Sequence, residues 1–141
     1  MNTPTPIKVV TKVWGYEKII VNNDQYCGKL LYIVKGCRTS LHYHKAKHET
    51  FYVESGKVLV YYSDEANKIA KFLETADEND KMLLFTPNSL HRINELTLRA
   101  GDSFEIPRQR VHMIVALEDT KLYEFSTHHE DSDSIRLLKT T

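Results

Sequence analysis

The 141-residue chain is poor in most features that would place it quickly. Two cysteines, Cys27 and Cys37, are too few for a disulfide framework. They are read as small reduced thiols, with a single pairing between them open in principle. Nineteen basic residues balance nineteen acidic ones, and no basic block stands out, so nothing forms the electrostatic footprint of a nucleic-acid or anionic-membrane binder. The longest apolar runs, such as LLYIV at 30–34, are far shorter than a bilayer span. Five glycines and four prolines leave no low-complexity tract, and no internal repeat is visible. The opening MNTPTPIKVV lacks the charged-then-apolar order of a signal peptide. The expected setting is therefore cytoplasmic, and the expected partner is a small molecule rather than nucleic acid or membrane.

What the chain does have is a series of short segments rich in Val, Ile, Tyr and Phe. They lie at 18–21, 29–34, 50–54, 57–62, 103–106, 112–116 and 122–127, separated by Gly, Asn, Asp, Ser or Pro. Closely spaced strands with turn residues between them predict an all-β sandwich or barrel. One segment differs. Residues 64–80, DEANKIAKFLETADEND, are charged, with apolar residues at Ile69, Phe72 and Leu73. That spacing predicts one short amphipathic helix or a surface loop. Residues 82–98 return to strand-like text, broken at Pro87 and Asn88, and residues 1–6, with Pro4 and Pro6, read as loosely held.

The chemistry concentrates in LHYHKAKHETFYVESG, residues 41–56. His42 and His44 are two apart, so on a strand both imidazoles point to one face while Tyr43 points to the other. Such a pair can ligate a metal, with a carboxylate such as Glu49 completing the set. His44 and His48 are also four apart, as in a helical zinc motif, but Lys45 stands where that motif needs Glu, and the flanks are strand-like. On spacing alone, scattered surface histidines remain the competing reading.

The wider spacing is more specific. Gly36 is followed by five residues, His42-Tyr43-His44, four residues, Glu49, six residues and Gly56. Further on, Gly101 is followed by five residues, Pro107, and then His112 five positions later. The two segments resemble the paired motifs of the cupin superfamily over roughly residues 28–127, except that Gln109 replaces a glycine and Ala116 an asparagine of the second motif. The resemblance implies an all-β, cupin-type jelly-roll β-barrel with a short helical or loop insertion between the motifs. It also implies one domain over 1–141, with an N-terminal arm at 1–12, a barrel core at 28–127 and a C-terminal tail at 128–141. Carried over by position, the metal ligands are His42, His44, Glu49 and His112, and His48 drops out as facing the other way. Three imidazoles and a carboxylate suit one divalent transition metal, Mn, Fe, Ni, Co or Zn.

A narrower resemblance points to the cupin domain of bacterial mannose-6-phosphate isomerases. It rests on the segment from Val13 to Glu17 with its Trp14-Gly15, on Lys29 seven residues before Gly36, on Glu124 between Tyr123 and Phe125, and on the acidic run Glu130-Asp131-Ser132-Asp133. It implies a metal-dependent sugar or sugar-phosphate aldose–ketose isomerase. Such a reaction needs a cation to stabilise charge on adjacent substrate oxygens and a group to move a proton between C1 and C2. Lys29 and Glu124 are the catalytic candidates, with a solvated Lys29 as the plain alternative. Arg108 and Arg110, flanking the second-motif turn, could bind a substrate phosphate or carboxylate, or simply form rim ion pairs with Asp102 or Glu105. Phe51, on the face of Glu49, is the candidate apolar substrate contact. His128 and His129 read as a polar tail, with closure over the mouth as the alternative, and Trp14 as a core or interface aromatic. Two other functions stay open: a mononuclear iron dioxygenase, and a non-catalytic sugar-binding cupin. A homodimer is a further expectation, because Ile7, Val9 and Val10 of the arm could add a strand to a neighbour's sheet edge.

Overall fold

A computed structural model describes residues 2–140; the first residue of the predicted arm and the last of the predicted tail lie outside it. Period-two alternation governs the strands. On Cys27–Ile33 (β3) the side chains of Lys29, Leu31 and Ile33 are buried while Leu30 and Tyr32 are less so. The same alternation runs through Thr120–Ser126 (β10), where Thr120, Leu122 and Glu124 turn inward.

The remaining strands are Lys8–Lys12 (β1), Gly15–Asn22 (β2), Leu41–His44 (β4), Glu49–Ser55 (β5), Lys57–Ser63 (β6), Asn94–Arg99 (β7), Ser103–Ile106 (β8), Val111–Ala116 (β9) and Ser134–Leu138 (β11). They form a six-stranded sheet in the order β1-β2-β3-β10-β5-β8 and a five-stranded sheet in the order β11-β4-β9-β6-β7. Every pairing is antiparallel. The two sheets pack face to face, and this is the expected all-β jelly roll. Between them Trp14, Leu31, Ile33, Phe51, Val53, Val58, Val60, Ile114 and Leu122 form a dry core.

That core does not fill the barrel. Lys29 pairs in register with Glu124, Leu31 with Leu122, and Ile33 with Thr120. Along β3 and β10 the inward row thus passes from apolar at one end to charged at the other. The charged end opens into a cavity of about 640 Å³.

The helix Ala66–Thr75 (α1) follows β6 and buries Ala66 and Ile69. With Leu84 and Ile93 they join Leu41, Val111 and Met113, which are the outward residues of the five-stranded sheet. The insertion thus covers that sheet's outer face. A second short helix, Glu78–Lys81 (α2), is capped by the Asp77 side chain, which accepts from the Asp80 amide at 2.8 Å. Among the described residues no helix is long and apolar enough to cross a membrane.

One expectation is corrected. Residues 82–98 are not strand throughout: a 3-10 turn at Met82–Leu84 leads into irregular chain, and only Asn94–Arg99 pairs. Leu84 and Ile93 owe their apolar character to packing under α1, not to a sheet. Within the 1–12 arm, Lys8–Lys12 form β1, which pairs with β2 in the chain's own sheet. Within the 128–141 tail, β11 pairs with β4 at the edge of the other sheet.

The motif glycines mark turns of left-handed backbone, with φ of 84° at Gly36, 95° at Gly56 and 93° at Gly101. Gln109, in the place of the second motif's missing glycine, still holds φ at 68°. Its amide donates to the His44 carbonyl at 2.7 Å, which ties that turn to β4. A Cβ on Gly56 would lie 2.4 Å from the Asp119 carbonyl oxygen, whereas one on Gly36 meets nothing within 4 Å. Gly36→Ala should therefore cost about 1 kcal/mol of conformational strain. Gly56→Ala should cost about 1–3 kcal/mol more, because backbone must move. Urea denaturation of the two variants checks this, and equal losses would contradict the steric account.

Candidate metal centre and its charged cavity

His42 and His44 project from β4 into the barrel, and β9 lies alongside with His42 in register with His112. The His42 and His112 rings are 4.4 Å apart by their centroids. One nitrogen from each of His42, His44 and His112 falls within a group 4.8 Å across, so the three can hold a metal ion. Glu49 opens β5 on the opposite sheet, 2% exposed. Its Oε2 lies 3.4 Å from His44 Nε2 and 3.2 Å from His112 Nε2.

The other ring nitrogens are already engaged. His42 Nδ1 donates to the Ser40 carbonyl at 3.0 Å and His112 Nδ1 to the Arg110 carbonyl at 2.9 Å. His44 Nδ1 meets Ser134 Oγ at 3.0 Å. A carbonyl accepts only, so at His42 and His112 it fixes the proton on Nδ1 and turns the Nε2 lone pair inward. Lone pairs therefore converge on a carboxylate oxygen. Glu49 Oε2 is buried and has no hydrogen-bond partner. An arrangement of acceptors without a donor is what a cation relieves, and the donor set fits a divalent metal.

Burial, reinforced at His42 by neighbouring His112, holds the His42 pKa down to about 3. Burial does the same to His44, also to about 3. Both rings are thus neutral at physiological pH, the form that ligates.

Three residues enter the site beyond the candidate site residues of the sequence: Lys47, Glu17 and His129. Lys47 is buried, with Nζ 2.8 Å from Glu124 Oε2, 3.4 Å from Glu49 Oε1 and 3.0 Å from His129 Nδ1. Burial disfavours its charge, but Glu124 and Glu49 outweigh burial and raise its pKa. Burial likewise pushes the Glu124 carboxyl up, and Lys47 and Lys29 bring it below the ordinary value. Lys29 Nζ lies 2.9 Å from Glu17 Oε1, whose other oxygen is 3.4 Å from Lys12 Nζ. Period two gives a usable signal for one of them, since Glu17 stands two before inward Ile19 on β2; Lys47 lies in the loop before β5, where strand period does not apply. His129 sits in irregular chain after β10, and its Nε2 reaches Asp131 at 2.9 Å. It faces the cavity rather than forming a polar tail.

The loop between His44 and Glu49 is pinned by the last strand's approach. Asp133 accepts from the Ala46 and Lys47 amides at 2.9 and 3.0 Å.

Other candidates fall elsewhere. Phe51, Lys29 and Glu124 line the cavity. Arg108 and Arg110 do not. Arg110 makes a fork with Asp64 at 2.8 and 3.0 Å and lies over the Tyr62 and Phe104 rings, so it is an ion pair outside the barrel mouth, with Asp64 rather than Asp102 or Glu105 as its partner. Arg108 is exposed. His48 pairs with Glu105 at 3.1 Å on the outer surface. Trp14 is buried in the core. Both cysteines are free thiols.

A two-sheet jelly roll with converging imidazoles and a carboxylate at its open end defines a cupin-type protein. The cupin family model matches residues 9–140, and the chain belongs to that family. Solved structures share the fold at low identity. KdgF from a Halomonas species is 16% identical with a TM-score of 0.61, each chain covering 94% of the other. The capsular polysaccharide assembling protein CapF from Staphylococcus aureus is 19% identical with a TM-score of 0.64. Oxalate decarboxylase from Bacillus subtilis is 17% identical with a TM-score of 0.64. This chain covers 94% of KdgF but spans only 34% of CapF and 30% of the decarboxylase, while 95% and 93% of it are matched.

The neutral histidines make metal-free stability pH-dependent in a definite direction. In the folded protein His42 and His44 titrate at about 3, against 6.5 when unperturbed. Between those values the unfolded chain binds more protons, so stability falls as pH falls below about 6.5, by on the order of 1 kcal/mol per pH unit per histidine. Urea midpoints of the metal-free protein at about pH 7 and about pH 5 should show this fall, and His44→Gln should reduce it by about half, leaving the His42 part. A flat wild-type profile would contradict the neutral assignment.

Proposed function

We propose that this cupin is a metal-dependent sugar or sugar-phosphate aldose–ketose isomerase, with His42, His44, Glu49 and His112 as metal ligands. The observation that supports it best is the cavity wall beside the unpartnered Glu49 oxygen: it carries two lysine–carboxylate pairs, Lys29 with Glu17 and Lys47 with Glu124. A polyhydroxy substrate needs such alternating donors and acceptors. A divalent metal bound there supplies Lewis-acid stabilisation of negative charge developing on adjacent substrate oxygens.

The chain's own residues do the rest. Glu17 orients the Lys29 ammonium, which donates to substrate oxygen and is placed to hand on a proton. Lys47 keeps Glu124 ionised and therefore able to accept a proton from a carbon-bound position or a hydroxyl. Phe51, Leu31 and Ile114 form the apolar side of the wall, against which the carbon skeleton packs. An iron dioxygenase of the same ligand set calls for a mostly apolar and aromatic wall, and the charge here favours the isomerase.

Two measurements test the reading. Metal analysis of purified protein should find stoichiometric divalent metal, lost in His44→Ala and Glu49→Ala and retained in His48→Ala; full metal in the first two refutes the ligand assignment. NMR of a panel of aldoses, ketoses and their phosphates in deuterated water should show deuterium entering at C2. Lys29→Ala should then lower turnover by about 10²-fold with metal retained. Saturable sugar binding without exchange would identify a non-catalytic cupin instead.

A further inference from the structure

The cavity has two lips. One is β1, the outer strand of the six-stranded sheet, and the other is β11, the outer strand of the five-stranded sheet. On β1 the cavity is lined by Lys8, Val10 and Lys12, which share one face of the strand, and by Thr11 between them. On β11 Arg136 is in register with His42, two residues beyond Ser134, whose hydroxyl meets His44. Ser134 and Arg136 both line the cavity. Cations thus stand on both lips, with the histidine cluster below them.

The charges of the wall do not cancel. Its carboxylates are Glu17, Glu124 and Asp131, with Glu49 beside the histidines and Lys47. Glu17 is shared by Lys29 and Lys12, Glu124 is held by Lys47, and Asp131 is held by His129. Among the described residues Lys8 and Arg136 make no ion pair and no side-chain hydrogen bond. Five fixed cations, Lys8, Lys12, Lys29, Lys47 and Arg136, therefore face four carboxylates in one concave site, Glu49 included. A divalent ion at the histidines would add to the surplus. Like charges converging in a cleft raise the local potential and attract an anion.

We infer that the substrate is an acidic sugar whose phosphate or carboxylate is held at the cavity mouth between Lys8 and Lys12 on one lip and Arg136 on the other. This takes the place of the Arg108–Arg110 pair, which Asp64 and solvent occupy. The guanidinium fork of Arg136 presents two parallel donors, which match either anion, while the lysines neutralise charge. An anion held at the lip leaves the far end of the sugar at the histidines, so the reacting carbons lie at the end opposite the charged group. The sugar part of this inference rests on the proposed isomerase function; the anion part does not.

The test is calorimetric titration of the metal-loaded protein with glucose, glucose 6-phosphate and glucuronate. At least one of the two anions should bind about tenfold more tightly than glucose or better, and which one does so identifies phosphate or carboxylate. The double substitution Lys8→Gln with Arg136→Gln should remove most of that preference, with metal content and glucose binding unchanged. Arg110→Gln should leave the preference intact. Glucose binding as tightly as both anions, no saturable binding of either anion, or a preference that survives the double substitution each overturns the inference. An isomerase of neutral sugars would pass the deuterium experiment and fail this one, and a non-catalytic binder of acidic sugars would do the reverse.

Discussion

The structure is organised around a local excess of acceptors. The inward nitrogen lone pairs of His42 and His112 and a Glu49 carboxylate oxygen meet inside the barrel, and that oxygen has no hydrogen-bond partner. Protein interiors do not tolerate unsatisfied polar atoms cheaply; each costs about 1–3 kcal/mol. The cost is accepted because the surrounding fold fixes each participant from behind. Ser40, Arg110 and Ser134 hold the outer ring nitrogens, and strand register sets the two rings of His42 and His112 side by side. A rigid set of this kind stays open for a cation rather than collapsing onto itself, which the preorganisation of metal sites requires.

The same open end carries buried lysine–carboxylate pairs whose net contribution to stability is small or negative by ordinary accounting. Desolvating both partners costs several kcal/mol per ion, and Coulomb attraction recovers it only with good geometry. Leu or Met at these positions would extend the dry core that already fills the other end of the barrel. Retaining Lys29, Glu17, Lys47 and Glu124 there keeps the cavity from closing, and it gives the cavity hydrogen-bonding groups of both kinds.

Much of this was legible in the chain. His42 and His44 announce their shared face by spacing alone, and the flanking glycines give Glu49 and His112 once the paired motifs are set side by side. The strands with regular alternation were readable too, since their apolar residues have one sheet face to satisfy. What stayed hidden depended on partners distant in sequence. β11 is the mixed text SIRLL, and its residues make sense only when Ser134 is seen against His44. Lys47 looks like any lysine in a charged loop until Glu124, 77 residues on, is brought against it. Arg110 flanks the right turn, yet Asp64 from the end of β6 claims it. Leu84 and Ile93 were strand-like in composition because packing beneath a helix selects the same residues as packing within a sheet.

The β11 strand also makes the site depend on a long-range closure. Three functions converge on residues 133–136: Asp133 holds the loop between His44 and Glu49, Ser134 positions a ring, and Arg136 stands on the lip. All act on residues made some ninety positions earlier. Local pairings such as β2 with β3 and β6 with β7 need nothing from β11, whereas the His44 ring and the loop before Glu49 reach their final arrangement only once that strand has docked on β4.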